Sequence, residues 1–162
     1  MATHYAVRSV RNLLLALVVI GSLTTACKKS GGGTDVDPRD QYVGKYEGGF
    51  QVGINLGGID LKPESGTAVV TVTKASNAGE IYLETVYNSS YTEKVTAELK
   101  GATFTVIDRT KDVITVNTTQ IQGDYSATGV FDKNQVAINA TTEARTAGGV
   151  VRRTGAVTGT KK

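Results

Sequence analysis

The groups that most often move protons near neutral pH are almost missing from this chain of 162 residues. The only histidine is His4, the only methionine Met1 and the only cysteine Cys27, and there is no tryptophan. From residue 28 onward, histidine general bases, Ser-His-Asp triads, Cys-His dyads and histidine- or cysteine-based zinc sites are therefore excluded. A single cysteine also rules out a disulfide within the chain. What remains is carboxylate chemistry. Asp35, Asp37 and Asp40 are the tightest acidic group, and oxygen-rich clusters can take Ca²⁺. This one lacks the ligand loop and closing Glu of an EF-hand, and Pro38 interrupts it, so a solvated linker is the better reading and no metal is expected. Paired acids could hydrolyse a glycoside. Glu93 shares a strand face with Tyr91 and Val95, and Asp108 shares one with Ala102, Phe104 and Val106. An inward acid needs a partner or a shifted pKa, but both lie near strand ends, where water reaches them. No catalytic residue, cofactor or enzymatic activity is expected.

The first 27 residues are laid out as a secretory leader. Arg8 and Arg11 form a basic start, and residues 13–20 (LLLALVVI) form an apolar run too short to cross a bilayer. Small residues lead from there to Ala26 and Cys27. The following segment, residues 28–34 (KKSGGGT), is Gly/Ser-rich and reads as a flexible tether. The expected organisation is a signal peptide over 1–26, an anchor and tether over 27–40, and one domain over 41–162. Without Arg8 and Arg11, 16 of the 18 basic residues remain against 15 acidic ones. That near-balance removes the basic footprint that nucleic-acid binding requires, so no nucleic-acid partner is expected.

The body alternates with a period of two. Tyr42, Tyr46, Phe50, Val52 and Ile54 fall on one face of the first stretch, and Val43, Lys45, Glu47 and Gln51 on the other. The same alternation runs through residues 66–75, 80–87, 91–100, 102–109, 113–121, 124–132, 135–145 and 150–158. Turn chemistry separates these stretches at Asn77-Ala78-Gly79, Asn88-Ser89-Ser90, Gly101, Gln122-Gly123, Lys133-Asn134 and Gly148-Gly149. Residues 57–65 read as irregular. Asn88, Asn117 and Asn139 each begin an Asn-x-Ser/Thr triplet, which Thr-rich strands produce by chance. The pattern predicts an all-β, up-and-down antiparallel meander of eight or nine strands. Closing it into a barrel is the best way to remove exposed strand edges, and a two-sheet sandwich is the alternative.

The Ala26-Cys27 ending resembles the lipobox of bacterial lipoproteins, with Thr24 where the common pattern has Leu, Val or Ile. With the tether, the acidic-Pro segment and the Tyr42-Val43-Gly44-Lys45-Tyr46-Glu47-Gly48 opening, the chain resembles small Bacteroidota-type lipoproteins with lipocalin-like (calycin-like) barrels. The resemblance implies diacylation of Cys27 and a lipid-anchored place in the bacterial cell envelope, at the outer membrane. An ordinary cleaved signal or an uncleaved anchor is the alternative. Gly44-Lys45-Tyr46 stands where lipocalins carry Gly-x-Trp. The resemblance also implies that an Arg near the last strand, here Arg153, packs across Tyr46 and closes one barrel end, a cation–π contact contributing about 2 kcal/mol if buried.

Tyr46, Phe50, Tyr87, Tyr91, Phe104, Tyr125 and Phe131 are expected in the barrel interior, where they would line a site for a small apolar ligand or simply fill it. The resulting expectation is a non-enzymatic, membrane-anchored binding barrel. The alternative is a structural or protein-interaction module of the envelope with a filled interior. Volume decides between them.

Overall fold

The computed structural model describes residues 36–162. The leader, Cys27, Asp35 and the glycine tether fall outside the described residues. The described chain forms ten strands and no helix: β1 Gly44–Leu56, β2 Ile59–Asp60, β3 Glu64–Lys74, β4 Glu80–Tyr87, β5 Tyr91–Lys100, β6 Thr103–Val106, β7 Lys111–Val116, β8 Thr119–Asp132, β9 Gln135–Thr146 and β10 Gly149–Lys161.

Every ladder is antiparallel, and neighbours follow the order β1-β3-β4-β5-β6-β8-β9-β10. The last strand then pairs with the first, from Tyr46 opposite Lys161 to Leu56 opposite Val151. Eight strands thus close into a barrel, and this continuous closing ladder sets the sandwich aside. The two extra strands belong to hairpins: β2 folds back on the end of β1, and β7 pairs with the first half of β8. The barrel, with its own core, lies wholly within the compact unit Asp37–Lys162.

Alternation sorts the side chains as the sequence implies. Tyr46, Val70, Val72, Ile81, Leu83, Ala97 and Phe104 are buried, and their chain neighbours face outward. Two turns differ from expectation. Gly123 does not end a strand but sits buried inside β8, where a Cβ would come within 2.6 Å of the Glu143 carbonyl oxygen. Its glycine character reflects a close approach of β9, and the turn falls at Asn117, whose φ is +54°. Residues 57–65, read as irregular, contain a tight Gly57-Gly58 turn with φ of +56° and +97° that starts β2.

One end of the barrel is filled by aromatic rings. Phe131 stacks on Tyr42 at a centroid separation of 4.5 Å and touches Phe104 at 5.1 Å and Tyr46 at 5.9 Å. The Tyr46 hydroxyl donates to the Tyr42 carbonyl at 2.8 Å, so the buried phenol keeps a partner. Arg39 seals this end from outside. Its Nη1 donates to the carbonyls of Ala75, Asn77 and Glu80 at 2.7–3.0 Å, and its Nε and Nη2 grip the Asp37 carboxylate. Lys74 reaches both Asp37 and Asp40. The expected linker therefore stops short of residue 40. Asp37 and Asp40 neutralise basic side chains, and the chain from Asp37 is part of the domain.

The Arg39 guanidinium holds the Asp37 carboxyl well below the usual carboxylate range. A group whose folded pKa is depressed stabilises the fold at pH values above its unfolded pKa, and the contribution fades as pH falls. Asp37→Asn is expected to lower the Tm at neutral pH, with the gap to wild type narrowing as pH falls below the ordinary carboxyl value near 3.8. Thermal melts across that range check this, and a gap independent of pH would contradict it.

Candidate functional site

Away from the aromatic plug the inward side chains become smaller. Val52, Ala140 and Gly155 face the interior beside Leu83, Val95 and Val157, leaving an open cavity of about 920 Å³. The seven aromatics expected inside divide between the two ends. Tyr46, Phe104 and Phe131 fill the closed end. Phe50, Tyr87, Tyr91 and Tyr125 line the cavity. Tyr87 packs edge-on against Phe50 at 5.2 Å and stacks on Tyr91 at 5.9 Å. Tyr91 is 59% exposed and stands at the rim.

The wall of this cavity is interrupted on one side. Between the β6–β8 pair Thr105–Thr128 and the β7–β8 pair Lys111–Asp124 the chain takes six steps against four on β8. The two additional residues make a bulge over 107–110 that redirects the side chains. Ile107 and Asp108 face out, and Asp108 accepts a hydrogen bond from the Thr96 amide at 2.7 Å. Arg109 turns inward. Beyond the bulge no ladder joins β5 to β7, so residues 91–95 border a seam in the wall.

A charged network occupies the inner side of this seam. Arg109 bridges Glu93 through Nη1 and Asp112 through Nη2. Arg153 reaches across from β10 to the other oxygen of Asp112 and donates to the Val113 carbonyl at 3.2 Å. The Tyr87 hydroxyl donates to Glu93 at 3.0 Å, and the Arg109 guanidinium lies 4.7 Å above the Tyr125 ring. The four charged side chains are mostly buried, Asp112 most deeply.

These positions put Asp108 on the outer face and overturn one expectation, the contact of Arg153 with Tyr46. Asp108 is not an inward acid, because the bulge reverses the face it would occupy in a regular strand. The glycosidase pair is therefore not assembled, and Glu93 meets an arginine instead. Nor does Arg153 meet Tyr46: the register sets Tyr46 against Lys161 and Arg153 against Ile54, at opposite ends of the closing ladder. The cation beside Tyr46 is Lys161, whose Nζ lies 5.9 Å from the ring and donates to the Gln41 carbonyl. Arg39, Arg109 and Asp112 had no visible signal in the sequence. The bulge and the long-range closure that give them their roles leave no local pattern.

No family model matches the sequence, and no curated protein matches it. A solved structure with similarity is a protein of unknown function from the DUF3598 family of Nostoc punctiforme, at 15% identity and a TM-score of 0.38. The comparison covers 76% of this chain and 48% of that one, so the chain spans about half the length of that protein.

Burial, together with the nearby Tyr125 and Tyr91, pushes the Tyr87 hydroxyl up to about 12. Burial also raises Tyr125, against the pull of Arg109 above its ring. A phenol whose folded pKa is raised favours the fold fully below the unfolded value, about 10. That advantage is lost as pH climbs toward the folded value. Ultraviolet titration of the phenolates is expected to show a late step near 12 that disappears in Tyr87→Phe. A late step that survives the substitution would assign it to another tyrosine.

Proposed function

We propose that this protein is a non-enzymatic binding barrel that carries a small, largely apolar ligand and is held at the bacterial cell envelope by an acylated Cys27. The observation that supports the carrier reading is the open cavity of about 920 Å³, walled by Phe50, Leu83, Tyr87 and Val95 and left empty by the aromatic plug at the other end. A volume of that size falls within the range of small-molecule sites. The pairing of Glu93 and Asp112 with arginines suits a fixed lining better than a working acid and base, which supports binding over catalysis. The leader, the Ala26-Cys27 junction and the glycine tether support the anchor.

Gly155 offers a test of the cavity. A Cβ placed there meets only Ala140 and Val52 carbons, both at 3.9 Å, so a larger side chain enters the cavity without strain on the wall. Gly155→Leu is expected to lose binding of a fluorescent apolar probe while its far-ultraviolet circular dichroism stays that of the wild type. Equal probe affinity in a folded variant would reject the carrier reading and favour a structural or partner-binding module.

The anchor has a separate test. Cys27→Ser is expected to move the protein from the membrane fraction of a bacterial lysate to the soluble fraction. A variant that stays with the membrane would place the attachment elsewhere.

A further inference from the structure

The charges that line the cavity are balanced. Arg109 and Arg153 face Glu93 and Asp112 in one connected network, and the exposed Lys62 and Glu64 at the rim add one charge of each sign. Every charge inside the cavity thus has its counter-charge in the wall. Resting on the carrier reading above, we infer that the ligand is an uncharged amphiphile, an elongated apolar body ending in a hydroxyl or carbonyl group, and that the network selects it against the corresponding anion.

Desolvation is the physical reason. Two arginines alone would form a receptor for a carboxylate or phosphate, since guanidinium recognises those groups through paired hydrogen bonds. Here Glu93 and Asp112 already hold that geometry. An incoming anion must either displace one of them or enter a poorly solvated space without a cation to itself. Leaving a charge buried without compensation costs far more than one hydrogen bond returns. An uncharged head avoids the penalty. The Tyr125 phenol lines the same space and can exchange hydrogen bonds with such a group, beside a Thr142 hydroxyl that the network already holds between Asp112 and Arg153. The apolar lining formed by Phe50, Leu83, Val95 and Val157 covers the rest of the molecule. Glu93 and Asp112 are then specificity-determining residues, because they cancel the attraction that the arginines would have for an anion.

The network also predicts how selectivity changes. Arg109 is shared between Glu93 and Asp112, and Asp112 is shared between Arg109 and Arg153. Removing the Glu93 charge leaves one carboxylate for two guanidiniums, and the cavity becomes an anion site.

The experiment compares dodecanoate with its glycerol monoester, each below its micelle concentration, on the chain from Lys28 onward, which retains the complete self-supporting barrel. At about pH 8 the acid is fully ionised, so the two probes share a tail and differ in head charge. Displacement of a fluorescent apolar probe reads both affinities. The monoester is expected to bind at least about tenfold more tightly, equivalent to about 1.4 kcal/mol. In Glu93→Gln the ratio is expected to fall or invert, and Asp112→Asn provides the same reading should that variant not fold. Dodecanoate binding as tightly as the monoester to the wild type would overturn the inference and leave the carrier reading standing. An unchanged ratio in both folded variants would overturn the role given to the network. Binding of neither compound, nor of the apolar probe, would reject the carrier reading itself.

Discussion

The pairing of the first long strand with the last is the constraint on which the rest of this structure depends. Without the ladder from Tyr46–Lys161 to Leu56–Val151, the meander would be an open sheet with one apolar face in water. With it, the same face becomes an enclosed interior, and residues more than a hundred positions apart become neighbours. The closing strand brings Arg153 into the interior opposite Ile54, and from there it reaches Asp112 of β7. Glu93 and Arg109 meet within the central part of the wall, but the network is complete only when β10 closes the circle.

That dependence explains what the sequence makes legible. Strand character, inward faces and most turns are written locally, in alternation and in turn residues, and the barrel follows from them. Tyr46, Phe104 and Phe131 could be placed inside from face assignment alone. The division of the aromatics into a plug and a cavity lining could not, because it depends on which strands sit level with one another. Stagger is a global property of a closed sheet. Tyr46 and Arg153 show the difference: both face inward, as their positions imply, but the register sends them to opposite ends.

The site was less legible than the fold for a second reason. Asp108 has the face expected of an inward acid until two additional residues enter the wall. Bulges leave little trace in a sequence of alternating residues, and this one exchanges Asp108 for Arg109 on the inside. Arg39 was hidden differently, within a segment whose Pro and Asp content suggests a linker. Its burial depends on three carbonyls contributed by residues 75–80, and nothing near it in the chain announces them.

The seam beside β5 has a consequence for how the molecule meets its neighbours. A fully closed barrel offers no template for adding a strand, but residues 91–95 have no ladder with β7. Tyr91, Ile107 and Val113 expose apolar surface in the two strands and the bulge around it. Such a border can recruit an extended segment of another chain and begin aggregation. Here the border is short, Lys94 places a charge on its outer face, and the Arg109–Glu93 pair ties its inner side to the bulge. The ion pair that shapes the cavity is therefore also the tie that holds this unladdered border against the bulge.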